Sequence, residues 1–510
     1  MNYKKTLAIA CSLAFAGVGH ARADSVSDLK AQIDLLQRQM DAVKTQLYNM
    51  QEKEKKEQAH AVVETKPGSP TTFIVPGGGE VQLYGFFDVS VDVATKGLQS
   101  DYGANGGMPV GKMGWTPDIS TNLSRIGVKG KHPITPENSF IWQLEAGIDI
   151  SSTPGTKTST SNNSDAVNGA LFSRNSFIGF AGKDWGAVMA GKNETPYKTS
   201  TDPLNPFSGQ VGDYRSIMGN TGGDNRVEFG LRAAHAIWYE SPKWSGAQLK
   251  VMFAPGQNRD DTSSIVPSGE PDCSGGNIPG SGATPPTCND GSFGDLFSIS
   301  GVYSAGPLYL ATAYEKHSNV NRTSDLGAYD PRDIADEEAF KIGGKYTLPT
   351  KTTLIALWER TKRSLPSDLE GQNERDRPNA YWLALTQAID DGNSVSIGWA
   401  HAGKSTGVAG VHNTAGDPNN FDNSSNMYSF TWRHRVDKSV TFYVAAAMQD
   451  NHADAHYDLG AGGHGVTTDC HDSSPMAAYD ATTGGVSNDG PHCYAGGKLK
   501  AVSVGATYGF

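Results

Sequence analysis

Four cysteines and two neighbouring histidines are the residues of this chain with the most specific chemistry. Cys470-His471 and His492-Cys493 could supply two thiolates and two imidazoles, which is a donor set for tetrahedral zinc. The thiols could instead form disulfides, because the four cysteines fall into two pairs that are close in sequence, in segments rich in Gly, Pro, Asp and Ser. These four are Cys273, Cys288, Cys470 and Cys493; the fifth cysteine, Cys11, lies in an apolar run at the N-terminus. Whether the protein is in an oxidising or a reducing compartment decides between disulfides and a zinc site.

The N-terminus predicts export. Lys4 and Lys5 precede an apolar run over 7–18, and the small residues around Arg22 offer a cleavage site, so residues 1–23 are expected to be a signal peptide. The run is shorter than the roughly 20 residues that a membrane-spanning helix needs. Export places the thiols in an oxidising compartment. We therefore expect the disulfides Cys273–Cys288 and Cys470–Cys493 and no metal site.

Charge and motif content argue against several function classes. Loss of Lys4, Lys5 and Arg22 changes the formal net charge from −11 to −14, which argues against nucleic acid as a partner. Sixty glycines and 19 tyrosines, with only 37% hydrophobic residues, indicate a chain rich in strands and turns without a conventional large core. The sequence contains no P-loop, dinucleotide fingerprint, nucleophile elbow or haem-attachment motif. We expect neither an enzyme nor a cofactor.

A heptad pattern follows the signal peptide. Over residues 24–60, apolar side chains recur at alternating spacings of three and four, with charged and amide side chains between them. This narrow stripe favours a coiled coil over a lone amphipathic helix packed on its own domain. The stripe consists of Val26, Leu29, Ile33, Leu36, Met40, Val43, Leu47 and Met50. The next segment, 61–79, contains TKPGSP and VPGGG and is expected to be a flexible linker.

From Glu80 onward the apolar period changes to two, as in VQLYGFFDVSVDV. Sixteen such segments occur over 80–510, and their connections alternate between tight turns and long polar loops. Alternation alone also fits a soluble sandwich, but long loops on one rim and short turns on the other are typical of an outer-membrane barrel. The predicted fold is all-β, a 16-stranded antiparallel transmembrane β-barrel with a short N-terminal periplasmic coiled-coil helix.

The chain ends on the alternating strand AVSVGATYGF. A sheet that spans lipid leaves no unpaired edge, so this last strand is expected to close onto the first. Val502, Val504 and Ala506 would then face lipid, and Tyr508 and Phe510 would lie in the aromatic girdle at the periplasmic interface. The terminal Phe510 also resembles the signal that the outer-membrane assembly machinery selects. The expected partners therefore include that machinery, membrane lipid and lipopolysaccharide.

Four motifs, in this order, resemble those of the Gram-negative general porins. They are LSRIGVKG, RNSFIGFAGKDWGAVMAGK, AIWYESPKWSG and the terminal YGF. The resemblance covers about residues 80–510. It implies a homotrimeric channel in the outer membrane of a Gram-negative cell, through which small hydrophilic solutes and ions diffuse passively. It also implies that the third extracellular loop folds into the lumen and narrows it.

The same resemblance implies the residues of the constriction. Its motifs match Arg125 and Arg174 to a basic wall, with Arg226 or Arg232 as the third member. The expected third loop, 193–231, carries acidic residues opposite this wall, so a field across the opening is expected. These acids include Asp202, Asp213 and Asp224.

Two departures from the family bear on function. Enteric members carry Pro-Glu-Phe-Gly-Gly at the loop tip, whereas this chain reads Pro206-Phe207-Ser208-Gly209 and lacks the glutamate, which favours a weak anion preference. Most members also lack a coiled coil. That helix could brace the trimer or tether the protein to the cell wall. A porin specific for phosphate or small carboxylates is a third possibility, since the same basic wall would serve it.

Overall fold

The computed structural model describes residues 26–59, 64–66, 68–97, 115–148, 174–220, 228–255, 293–321, 334–365, 367, 376–406, 422–452, 455, 457, 459, 479–480, 485–486 and 498–510. The chain forms two compact units, residues 1–64 and 65–510. The first contains the helix α1, Val26–Ala59. Among the described residues, no helix is long and apolar enough to cross a membrane.

The second unit is built from strands. The first of them are β1 Glu64–Lys66, β2 Ser69–Val75, β3 Gly79–Gly97, β4 Thr116–Thr121, β5 Arg125–Pro133, β6 Asn138–Gly147, β7 Ser176–Gly182, β8 Gly186–Glu194, β9 Arg232–Glu240 and β10 Ala247–Pro255. The remaining strands are β11 Asp295–Ala305, β12 Leu308–Asn321, β13 Ile334–Thr347, β14 Thr352–Ser364, β15 Asp376–Ala388, β16 Asn393–Ala402, β17 Ser425–Arg435, β18 Val440–Asn451, β19 Tyr479–Asp480, β20 Gly485–Val486 and β21 Lys498–Gly509.

The sheet closes on itself. Each strand from β5 to β18 pairs antiparallel with the next, and β21 pairs with both β18 and β3. The segments β4 and β5 pair with successive stretches of β3 and so form one barrel strand. The described part of the chain therefore forms a closed barrel of sixteen antiparallel strands, as the sequence predicts. Closure leaves no open edge, which is the requirement for a sheet in lipid.

The last strand shows how the two faces of the wall differ. On β21, Ala501 and Ser503 are 2% and 0% exposed, whereas Val502 and Val504 are 41% and 55% exposed. The predicted alternation is thus confirmed here: small and polar side chains point inward, and aliphatic side chains point outward. At the end of the strand, Phe510 exchanges two backbone hydrogen bonds with Gly85 of β3, at 3.1 and 3.2 Å. The chain terminus therefore completes the closure.

The predicted flexible linker contains regular structure. Within 61–79, strand β2 pairs antiparallel with the start of β3, from Thr72 opposite Gln82 to Val75 opposite Gly79. The turn between them has positive φ at Gly77 and Gly78, where a side chain would be strained. The expectation of flexibility is wrong for 69–75 because an apolar, β-branched run precedes this glycine turn, and that pattern forms a hairpin.

The connections alternate in length. Strand β7 ends at Gly182 and β8 begins at Gly186, whereas β8 ends at Glu194 and β9 begins only at Arg232. This long connection, 195–231, is called L3 below. It contains a short helix α2, Pro196–Ser200, and two 3₁₀ turns, Asp202–Leu204 and Tyr214–Ser216. L3 is the element that positions the candidate site.

Candidate pore constriction

L3 lies inside the barrel because its apolar side chains pack against inward-facing residues of β14 to β17. Trp382 of β15 is fully buried, and its indole Nε1 donates a hydrogen bond to the carbonyl oxygen of Leu204 at 2.9 Å. The Trp382 ring centroid lies 5.2 Å from that of Tyr214 and 5.7 Å from that of Phe207. A Cβ at Gly398 would lie 2.2 Å from the Trp382 ring, so only glycine fits there. Burial of aromatic rings thus holds L3 against one wall.

Glu359 of β14 connects the two ends of L3. Its carboxylate accepts hydrogen bonds from the Tyr197 hydroxyl and from the backbone N–H of Gly219, each at 2.6 Å. Lys341 of β13 donates to the Thr201 hydroxyl at 2.9 Å, and its ammonium lies 3.9 Å from the centroid of the Tyr197 ring. All of these residues are buried. Because hydrogen bonds are stronger at low dielectric, this network fixes the backbone at both ends of the loop.

The tip of L3 is held against β17 and against the connection between β18 and β21. The Gly212 N–H donates to the carbonyl oxygen of Leu459 at 2.8 Å, and the Gly212 carbonyl accepts from the Ser429 hydroxyl at 2.8 Å. Gly209 and Gly212 both have positive φ, 76° and 85°, which allows the tip to fold back. With the loop held on this side, the remaining opening lies between L3 and strands β5 to β9.

The wall across this opening carries arginines that alternate with an acid. Arg174 Nε lies 2.8 Å from the carboxylate of Glu145, and Arg125 Nε lies 3.6 Å from the same carboxylate. The Tyr84 hydroxyl also donates to Glu145, at 3.0 Å. One carboxylate therefore partly neutralises two of the predicted arginines and fixes their positions.

Arg232 and the start of L3 share a second acid. The Arg232 guanidinium lies 2.8 Å from Glu194 and donates from Nε to the Asn175 side-chain oxygen at 2.7 Å. The Lys198 ammonium lies 3.0 Å from the same Glu194 carboxylate. Burial lowers the pKa of Lys198 in the loop, although Glu194 acts in the opposite direction. This cluster thus has two cations for one acid.

Two of the described acids of L3, Asp213 and Asp202, pair with an arginine of the same loop. Asp213 is fully buried; its carboxylate accepts from the Asn205 amide at 2.8 Å and from Arg215 Nη2 at 3.1 Å. Arg215 also lies 3.2 Å from Asp202. Burial alone would lower the pKa of Arg215, but the adjacent Asp213 raises it above its usual value. The loop therefore carries its own counter-charge.

These groups meet around a cavity of 240 Å³, called the eyelet below. The charged residues that line it are Arg174, Glu194, Lys198, Asp213, Arg215, Arg232, Lys341 and Glu359. Of the predicted constriction residues, Arg174, Arg232 and Asp213 thus meet here. Arg125 lines a different cavity, which is described below, and Asp202 lies at the edge, paired with Arg215. Asp224 and Arg226 lie outside the described residues.

In the described part of L3, Asp213 is buried and bound by Arg215, which also lines the eyelet. Because Asp224 and Arg226 lie outside the described residues, the field across the opening stays a prediction. The sequence shows the residue types but not this pairing within the loop. The glutamate that enteric members carry at the tip has no equivalent, and Phe207 at this tip is buried against Trp382.

The cysteines and their neighbouring histidines cannot be placed. Cys273, Cys288, Cys470 and Cys493 all lie outside the described residues. The two disulfides therefore stay predictions. Among the residues that the structure does describe, no cluster of three or more His, Cys, Asp or Glu side chains could hold a metal ion.

The sequence and the fold are similar to those of known proteins. The sequence profile of the Gram-negative porin family matches residues 7–455. The chain belongs to this family. The porin is 20% identical over 404 residues to an outer membrane porin protein of Bordetella pertussis, a match that covers 73% of this chain and 89% of that protein. It is 27% identical over 195 residues to the major outer membrane protein P.IA of Neisseria meningitidis serogroup A, covering 35% and 43% of the two chains.

Among solved structures, the porin is similar to the anion-selective porin from Comamonas acidovorans. The TM-score is 0.54 at 17% identity, and the match covers 85% of this chain and all of the other. This likeness shows the shared barrel fold. Together, the family, the relatives and the closed barrel show an outer-membrane channel for passive diffusion of small hydrophilic solutes and ions.

Proposed function

We propose that this porin prefers small anions at its eyelet. The observation that carries the proposal is the charge balance: five cations line the eyelet with three acids, the cations being Arg174, Lys198, Arg215, Arg232 and Lys341 and the acids Glu194, Asp213 and Glu359. Glu194 pairs with Arg232, Asp213 with Arg215, and Arg174 with Glu145, which lies outside this lining. In a narrow passage between walls of low dielectric, a few unbalanced fixed charges decide which ions enter.

Two further facts support the preference. The tip position that is acidic in enteric porins is occupied by buried Phe207, so the loop adds no exposed carboxylate there. The similar porin from Comamonas acidovorans is described as anion-selective, and it shares this fold.

The test is the reversal potential of purified porin in planar bilayers under a KCl gradient. Wild type is expected to favour chloride, and Arg174→Gln and Arg232→Gln should each reduce that preference. Arg360→Gln is a matched control, because Arg360 is half-exposed on β14 and pairs with Asp376 away from the eyelet. Clear cation selectivity of the wild type would refute the proposal.

The helix α1 supports a second role, self-association within a homotrimer. The stripe side chains Ile33, Leu36, Met40, Val43, Leu47 and Met50 are between 50% and 63% exposed in the single chain. Six apolar side chains at heptad spacing on one exposed stripe are the seam of a coiled coil, and burial of each would remove apolar surface from water. We infer that three copies of α1 associate and brace the trimer.

Deletion of residues 24–60 separates the two roles that the helix could have. Loss of the trimer in native gels, with the barrel still folded, would support bracing. An intact trimer with a weakened envelope would instead show that the helix tethers the protein to the cell wall.

The disulfides Cys273–Cys288 and Cys470–Cys493 are also proposed, because the protein acts in an oxidising compartment. A free-thiol count of zero in the purified porin, with no zinc by elemental analysis, is the expected result. Free thiols together with bound zinc would replace the second disulfide by a metal site.

A further inference from the structure

A second cavity lies between the tip of L3 and the short-turn rim. Its volume is 690 Å³, and it is called the lower cavity below. The tip contributes residues 208–210, and the turns before β14 and β16 contribute Lys351, Asp390 and Asp391. The lower cavity and the eyelet have no charged side chain in common. A solute that leaves the eyelet towards this rim thus meets a separate set of groups.

Arg433 of β17 is the distinctive group of the lower cavity. Among the described residues, no hydrogen bond or ion pair involves its guanidinium. The nearest acid is Asp88, whose carboxylate already accepts from the Tyr443 hydroxyl at 2.8 Å and from the Asn122 amide at 3.4 Å. A guanidinium inside a barrel with unused donors is a site for an anionic ligand, because its planar fork matches a carboxylate.

Arg125 of β5 lines the same cavity, on a strand that β18, β21 and β3 separate from β17. Its guanidinium lies 4.9 Å from the centroid of the Phe86 ring, and one of its donors is used by the Leu123 carbonyl oxygen at 3.1 Å. Its carboxylate neighbour, Glu145, is 3.6 Å away and is bound more closely by Arg174. Arg125 therefore adds positive charge beside an apolar surface.

Asp88 also lines the lower cavity and interacts electrostatically with Arg433, whereas the remaining acids are bound at the turns. Asp390 accepts from the backbone N–H groups of Gly392 and Asn393 at 2.8 and 2.6 Å. Asp391 lies 3.7 Å from Lys351, and its carbonyl oxygen accepts from Arg435. The acids at this rim therefore stabilise the turn, and they do not pair with Arg433.

The apolar part of the lining indicates the rest of the ligand. Phe86, Leu123 and Tyr443 line the cavity together with the two arginines. Small inorganic anions make no use of such a surface, whereas an aromatic or aliphatic body gains from burial against it. We propose that the lower cavity binds organic monocarboxylates with an apolar body through Arg433, with Arg125 adding positive charge to the same cavity. The proposal adds a second anion site to the anion preference proposed for the eyelet.

Benzoate is the probe for the experiment. Full-length porin in planar bilayers is measured in increasing sodium benzoate, and the conductance of wild type is expected to saturate. Arg433→Gln should raise the half-saturating concentration about tenfold, because a charge-assisted bidentate contact is lost. Arg433→Lys keeps the charge but not the fork, so an intermediate increase is expected.

The controls separate a binding site from a general field. Lys129 lines neither cavity, and its ammonium lies 5.2 Å from the centroid of the Tyr84 ring. Lys129→Gln should therefore change the half-saturating concentration of benzoate less than about twofold. Acetate should saturate only at higher concentrations than benzoate, since it lacks the apolar body. Conductance that rises linearly with benzoate, or equal effects of Arg433→Gln and Lys129→Gln, would overturn the proposal.

The two proposals can fail separately. Chloride preference in KCl without saturation by benzoate would remove only the lower-cavity site. Saturation by benzoate that depends on Arg433, in a channel that prefers potassium, would remove only the proposed function of the eyelet.

Discussion

The two walls that face L3 are built differently. On the side of β14 to β17, L3 packs through buried rings such as Trp382 and through Glu359, whose carboxylate is hydrogen-bonded inside the protein. On the side of β5 to β9, the wall carries partly exposed arginines such as Arg232, which are paired with acids but still face the opening. The first wall determines where the loop lies. The second determines which charge a solute meets.

The two walls therefore determine different properties: one determines the shape of the pore, and the other determines the sign of the charge at its opening. Buried packing contributes strongly to stability, and a change there leaves a cavity or an unsatisfied polar group. Partly exposed ion pairs contribute much less to stability, so charge at the opening can change while the loop stays in place. Substitutions on the anchoring side should therefore alter stability and pore size, and those on the open side should alter selectivity.

Trp382→Ala is expected to have the largest effect. Loss of a fully buried indole and of its hydrogen bond to Leu204 should lower the free energy of unfolding by about 3–5 kcal/mol. L3 would then be held less firmly, so single-channel conductance should rise. Thermal unfolding in detergent and single-channel recording measure the two effects. Trp399→Ala on the outward face of β16 is the matched control, with an expected loss of about 1 kcal/mol; equal losses would show that Trp382 is not an anchor.

Glu359→Gln should have the next largest effect. The carboxylate holds Tyr197 and the backbone of Gly219, and hydrogen bonds to a charged group are lost or weakened in the amide, so a loss of about 2 kcal/mol is expected. The Tm of the purified porin measures it. Glu338 is half-buried and its carboxylate accepts from the Tyr314 hydroxyl at 2.9 Å, so Glu338→Gln should change the Tm little. A similar loss in both variants would place the stabilising effect outside L3.

The barrel could be predicted from the sequence because its signal repeats along the chain. Period-two alternation, as in Val502 and Val504 against Ala501 and Ser503, appears in every strand, and loop lengths alternate with it. The pairing of two long strands can also be predicted correctly when the predicted first and last residues of a strand are wrong by one or two positions. The wrong expectation, flexibility over 69–75, arose where a glycine turn and a short β-branched run were assigned to a linker.

The eyelet could be predicted only in part. Arg174 is matched by a motif and Arg232 is one of two alternatives for the third basic residue, and both line the opening. The interior of L3 has no periodic pattern, so the sequence could not show that Asp213 is buried and binds Arg215. Nor could it show that Glu359 holds both ends of the loop, since those contacts join positions more than a hundred residues apart.

Substitutions at the Arg215–Asp213 pair should shift selectivity in opposite directions. Arg215→Gln removes a cation from the eyelet and should lower the chloride-to-potassium permeability ratio about tenfold, because an interaction of about 0.7 kcal/mol between unit charges roughly 6 Å apart in water acts in opposite directions on the two ions. Asp213→Asn should raise the ratio. Reversal potentials under a KCl gradient measure both. Arg360→Gln and Asp376→Asn, an exposed pair outside the eyelet, should leave the ratio unchanged.

The smallest expected effect is a dependence of selectivity on pH. Burial raises the pKa of Asp202 above that of an exposed aspartate, although Arg215 opposes the shift. As the pH falls from neutral, Asp202 should therefore lose its negative charge earlier than other aspartates, and the anion preference should rise, by less than about twofold because the carboxylate is partly exposed to water. Reversal potentials at successive pH values test this. In Asp202→Asn the early part of the rise should disappear; a rise of equal size in that variant would assign the titration to another group.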